Sequence, residues 1–106
     1  MSDSLLKTRS NTLLALTGAV ILAACSAPAG DAANGQRWYE MNNCSACHGK
    51  NANDGKAMAI RNLGMSFSRF EHVLRSPYSP SMPAFSEQKV SKQDAADIYA
   101  WLKSLE

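Results

Sequence analysis

Cys44-Ser45-Ala46-Cys47-His48 is the stretch on which the reading of this 106-residue chain turns. Two thiols three positions apart, with a histidine directly after the second, form the pattern C-x-x-C-H. Each thiol can add across a haem vinyl group to make a thioether, and the histidine is then carried under the iron as its proximal ligand. Other uses of such a pair compete with this one. A dithiol redox couple sits at a strand-to-helix turn inside an α/β unit, and no strand-rich run precedes Cys44. Half of a zinc site needs a second, well-separated ligand pair, whereas the only other Cys and His residues are Cys25 and His72. A coincidental match is the remaining alternative, and the rest of the chain speaks against it.

Upstream of the motif, Lys7 and Arg9 precede an apolar run from Leu13 to Ala24, which ends at Cys25. Residues 1–24 therefore read as an export signal, and the run is about half of the ~20 residues that a membrane-spanning helix needs. Export suits a haem that is attached outside the cytoplasm. Leu22-Ala23-Ala24-Cys25 resembles a bacterial lipobox, in which cleavage makes the cysteine the new N-terminus and its sulfur is acylated. The competing reading is a cut after Ala27-Pro28-Ala29, which also has the small-x-small form and would give a soluble periplasmic protein. Several acyl chains on Cys25 would anchor stably where one chain would not. Ser26, rather than Asp, after that cysteine suggests the outer membrane.

Cleavage before Cys25 leaves 82 residues, one domain at most, with 9 basic against 8 acidic side chains. Two haem propionates would bring the net charge to about −1, far from the basic footprint of a nucleic-acid binder. So short a chain buries a thin core, and a covalently held haem supplies the staple that small scaffolds need. Residues 25–34 are small and polar, and we expect a flexible tether there, followed by a domain over 35–106.

Within that domain the expected elements are helical. The first helix should run from about Asp31 to Asn43, with Asp31 or Asn34 as N-cap and with Gly35 and Tyr39 on one face. Ser91 and Asp94 have capping-box spacing ahead of a helix that reaches Leu105, where Ala95, Ile98, Leu102 and Leu105 form an apolar stripe beside Trp101. These two helices should cross with Gly35 at the contact. A third helix is expected from about Ser68 to Arg75, capped by Ser68 with Glu71 and stopped by Pro77. Phe67, Phe70 and Leu74 share its inner face, and His72 falls nearly opposite, which makes it a surface histidine and a poor second ligand.

Pro77, Pro80 and Pro83 stiffen the segment from Pro77 to Phe85, because each fixes φ and removes an amide donor. A stiff loop can hold one thioether against a metal, so Met82 is the expected sixth ligand, opposite His48. Met41, Met58 and Met65 read as fillers: Met41 is too close to Cys44 to reach the far face, and the other two lack the rigid frame.

Taken in order, Gly35 with Tyr39, Cys44-x-x-Cys47-His48-Gly49, Arg75-Ser76-Pro77, Met82-Pro83-Ala84-Phe85 and Tyr99-Ala100-Trp101-Leu102 resemble the small bacterial class I cytochromes c. The resemblance spans about Gly35 to Leu105. It implies an all-α fold of three to four short helices and loops enclosing one haem, with crossing terminal helices, His/Met coordination and one-electron shuttling between larger redox proteins. The chain departs from the family in one respect. Many members have a proline whose carbonyl accepts the hydrogen bond from the proximal histidine's other nitrogen, yet no proline lies between His48 and Pro77. A backbone carbonyl near Arg61 is left to take that role.

The function expected is that of a lipid-tethered electron carrier without catalytic apparatus or small-molecule substrate. A second reading is a haem subunit fixed to a dehydrogenase or oxidase. A third is a gas-binding or peroxidase-like protein with five-coordinate iron.

Overall fold

Asp31 sits in extended backbone (φ −104°, ψ 111°), and its carboxylate accepts the Asn34 amide at 3.0 Å, so the first helix is capped as it starts. This helix, α1, covers Ala32–Met41 in a computed structural model that describes residues 27–105. The expected export signal and Cys25 lie outside those residues. Asn43, at φ 59°, turns the chain out of α1 and into α2 (Ser45–His48), a single turn that carries the second half of the motif. After a long irregular stretch come α3 (Phe67–Arg75) and α4 (Lys92–Ser104). No strand occurs among the described residues, and the fold is all-α, as expected.

α1 and α4 make the principal helix pair, and Gly35 makes their crossing close. A Cβ at Gly35 would lie 2.9 Å from the Ile98 amide nitrogen and closer still to the Asp97 carbonyl, so no side chain fits there. One turn on, Tyr39 is fully buried and its ring centroid lies 4.7 Å from that of Trp101, tilted by 52°. Ala95, Ile98, Trp101 and Leu102 are buried on α4, and Phe70 and Leu74 are buried on α3, completing a shared core. Both halves of the capping box at Ser91 and Asp94 are formed.

Asp97 is the polar centre of the crossing. Its carboxylate is buried with no ion pair among the described residues, and it accepts from the Asp31 amide (2.8 Å), the Trp38 indole (3.2 Å) and the Gln93 side chain (3.0 Å). Convergent N–H donors are what make such a burial tolerable. Gln93 also donates to the Ala29 carbonyl at 2.7 Å, and Gly30 lies so close to α4 that an added Cβ would sit 2.8 Å from the Ala100 Cβ. Within the stretch expected as a tether, the chain is thus docked on α4 from Ala29 onward.

α3 starts earlier than expected. Ser66, not Ser68, is the N-cap and accepts the Arg69 amide at 3.3 Å, while Glu71 pairs with Arg75 at 3.1 Å instead of closing a capping box. The cause is Phe67, whose ring meets Tyr99 edge-on at 5.7 Å and draws its own backbone into the first turn. No helix among the described residues is long and apolar enough to cross a membrane.

Candidate functional site

The motif opens onto a crevice. Cys44 follows the turn out of α1, and Cys47 and His48 lie on α2, a single turn closed by the His48 amide bonding to the Cys44 carbonyl at 3.0 Å. Gly49 ends it at φ 89°, a conformation that L side chains rarely adopt. Tyr39 holds this corner from below by donating its hydroxyl to the Gly49 carbonyl at 2.6 Å. Burial pushes the Tyr39 phenol well above its ordinary value, so it stays protonated and remains a donor.

His48 Nδ1 donates to the Met58 carbonyl at 2.8 Å. A carbonyl can only accept, so the ring proton is on Nδ1 and the lone pair is on Nε2. The proline missing from the sequence is therefore replaced by the backbone of Met58, three residues before the expected Arg61. That carbonyl is set in place by the irregular segment itself, where Ala57 donates to Cys47 and Ile60 to Ala52, each at 2.8 Å. Further along, Tyr99 fixes the Met65 carbonyl at 2.7 Å and Lys103 the Leu63 carbonyl at 2.8 Å.

Cys44, His48 and Met82 line both an inner apolar pocket and a wider cleft of about 780 Å³, while Cys47 lines the cleft alone. That volume lies within the ~300–1,000 Å³ of ordinary ligand sites. The inner walls come from Ile60, Leu63, Phe70, Leu74, Val90 and Leu102. Met65 reaches the inner pocket, but Met58 is exposed and lines both spaces and Met41 is exposed and lines neither, so Met41 and Met58 are not the fillers expected of them; His72 is exposed and lines neither. Burial, with Glu40 and Cys47 nearby, pushes the Cys44 thiol up to about 11. A dithiol redox couple needs a thiol shifted the other way. Among the described residues no three His, Cys, Asp or Glu side chains converge as a metal cluster. Two sulfurs at the rim, an imidazole lone pair and a thioether around an apolar cleft are a donor set that fits a haem.

Residues 30–102 match the family model described as Cytochrome C oxidase, cbb3-type, subunit III. The chain belongs to this family of monohaem class I cytochromes c. No curated protein and no solved structure matches it. Membership carries with it a covalently bound haem c with its iron, and haem-based electron transfer as the general function.

The cytochrome's far wall is the loop between α3 and α4, which contains no helix or strand, as its prolines require. Met82 lies at the end of a turn in which its amide bonds to the Ser79 carbonyl at 3.2 Å. Three residues later the loop is seized by the end of α3: the Phe85 amide donates to the Leu74 carbonyl at 2.8 Å, and the Arg75 guanidinium donates to the Phe85 carbonyl at 3.2 Å. Reading the sequence alone placed Arg75 only at a helix end. Neither this grip nor the bonds that join Asp97 to Asp31 and Trp38 have a local sequence signal, because the partners are far apart in the chain and only the fold brings them together.

Proposed function

We propose that this cytochrome carries single electrons, with Cys44 and Cys47 as the thioether sites and His48 and Met82 as the two axial ligands. The observation that carries the reading is that His48, with Nδ1 committed to Met58, and Met82, on a proline-stiffened loop, line one apolar crevice. The haem supplies one-electron chemistry, its iron alternating between ferric and ferrous. The bond to Met58 fixes the tautomer of His48 and raises its basicity. A Met82 thioether favours the ferrous state and raises the potential. Held by both side chains, a haem in the crevice would be closed to small ligands, and the stiff loop would limit rearrangement between its oxidation states. Cyclic voltammetry of the purified protein should give one reversible one-electron wave, and the ferrous protein should not bind carbon monoxide. Ready carbon monoxide binding would point to the five-coordinate gas-binding or peroxidase-like reading.

The matched family's description names an oxidase subunit, which favours a second reading: a haem subunit of a membrane or periplasmic oxidoreductase complex. Copurification with a larger redox complex from solubilised membranes supports that reading, and isolation as a lone protein supports the free carrier passing electrons between donor and acceptor proteins. We further propose that the chain is exported and acylated on Cys25, with Ser26 directing it to the outer membrane. Mass spectrometry of the membrane fraction should find an acylated Cys25 as the first residue, and a soluble species starting near Gly30 would refute it.

A further inference from the structure

The Arg75 guanidinium is the most heavily used polar group facing the crevice loop. Nη1 donates to the carbonyls of Phe85 (3.2 Å), Ser86 (3.3 Å) and Val90 (2.7 Å), and Nη2 donates to Glu71 on its own helix at 3.1 Å. The two ends of this span are not equivalent. Val90 is buried in the core and starts the approach to α4, whereas Phe85 is three residues from Met82 and separated from it only by Pro83 and Ala84. Leu74 and Arg75, adjacent in sequence, take hold of the Phe85 amide and carbonyl respectively, so both backbone polar groups of that residue are fixed to α3. On its other side, among the described residues, the hydrogen bonds of the Met82 turn are local ones to Ser79, the amide bond at 3.2 Å and the Ser81 amide on the Ser79 hydroxyl at 3.2 Å, and the Arg69 guanidinium lies 6.0 Å over the Tyr78 ring. The ligand loop is therefore tied to α3 from its C-terminal side, by the Leu74 carbonyl and by one side chain, that of Arg75.

We infer that Arg75 is a positioning residue that holds the Met82 loop closed over the crevice and sets how often Met82 leaves its place. The inference rests on the Met82 reading above. A guanidinium is suited to the task because it stays charged at every accessible pH and presents several donors in a fixed fork. Lysine in its place offers a single ammonium that cannot serve three carbonyls and a carboxylate in that geometry. Glu71 orients the fork but touches nothing in the loop.

Imidazole binding to the ferric protein reads the loop directly, because the added ligand enters only when Met82 has moved away. Arg75→Leu should raise the imidazole binding rate by about tenfold or more, the factor that corresponds to losing one charge-assisted bond. Arg75→Lys should give a smaller rise, and Glu71→Gln less than about threefold, with the near-infrared band of methionine bonded to ferric iron retained at neutral pH in all three. If Arg75→Leu fails to fold, Arg75→Lys decides alone. Asp31→Ala, which removes the N-cap of α1 and touches no part of the crevice lining, serves as a variant of lowered stability and should bind imidazole at the wild-type rate. Wild-type rates in the Arg75 variants, or equal acceleration in Asp31→Ala, overturn the inference while leaving the Met82 reading intact if Met82→Ala lacks the band. A band that persists in Met82→Ala removes the Met82 reading and this inference with it.

Discussion

Replacing Gly35 by alanine perturbs the helix crossing on which the crevice is built. The added Cβ would meet the Ile98 amide nitrogen at 2.9 Å and the Asp97 carbonyl more closely still, against the ~3.5 Å at which nonbonded heavy atoms rest. Both groups are backbone inside α4, so nothing can swing away, and α1 must move outward as a unit. That movement stretches the bonds from the Asp31 amide and the Trp38 indole to Asp97 and separates Tyr39 from Trp101. Overpacking of this kind costs up to ~3 kcal/mol, and alanine returns ~1 kcal/mol of helix propensity over glycine, leaving about 2 kcal/mol of net destabilisation. For a domain of this size that corresponds to a fall in Tm of about 8–16 °C. Thermal melts of the ferric holoprotein followed by circular dichroism measure it, with Gln36→Ala on the exposed side of the same helix as a control. A Tm for Gly35→Ala equal to or above wild type would mean that the close crossing is not as described.

Asp97→Asn replaces an acceptor of three N–H groups by an amide that must turn one N–H toward a donor, and should lower stability by about 1–3 kcal/mol in urea unfolding; an unchanged midpoint would contradict the cluster. The Asn51 amide holds the exposed Asp54 carboxylate below the ordinary range, so its contribution to stability is complete above about pH 4 and is lost as pH falls through the lower folded value. Asp54→Asn should accordingly make the decline of Tm below about pH 4 shallower, and a decline as steep as wild type counts against this sign. His72→Ala should leave the visible spectrum and the potential unchanged, since His72 is exposed and lines neither part of the crevice.

The elements legible in the sequence were those with a local cause. The Ser91 box, the Asp31 cap, the Gly35–Tyr39 face and the stripe on α4 all follow from spacing along one helix, and each is present. Ser66 was missed as the cap of α3 because Ser68 with Glu71 has equally good spacing, and only the packing of Phe67 on Tyr99 decides between them. Likewise, the C-x-x-C-H motif was legible in the sequence, whereas the Met58 carbonyl that meets the His48 ring was not, since every residue carries a carbonyl and only the fold selects which one meets the ring. The docking of Ala29 and Gly30 on α4 also escaped the composition, in which small residues read as tether.

The account stands or falls on Met82 as the ligand opposite His48. In the proton NMR spectrum of the ferrous protein, the ring current of the haem should shift the methyl of a bound methionine far upfield of all other methyl signals. We expect one such signal in wild type, unchanged in Met58→Leu and Met65→Leu and absent in Met82→Leu. Its persistence in Met82→Leu, or its loss in Met58→Leu or Met65→Leu, the other two methionines that line the inner pocket, would contradict the assignment.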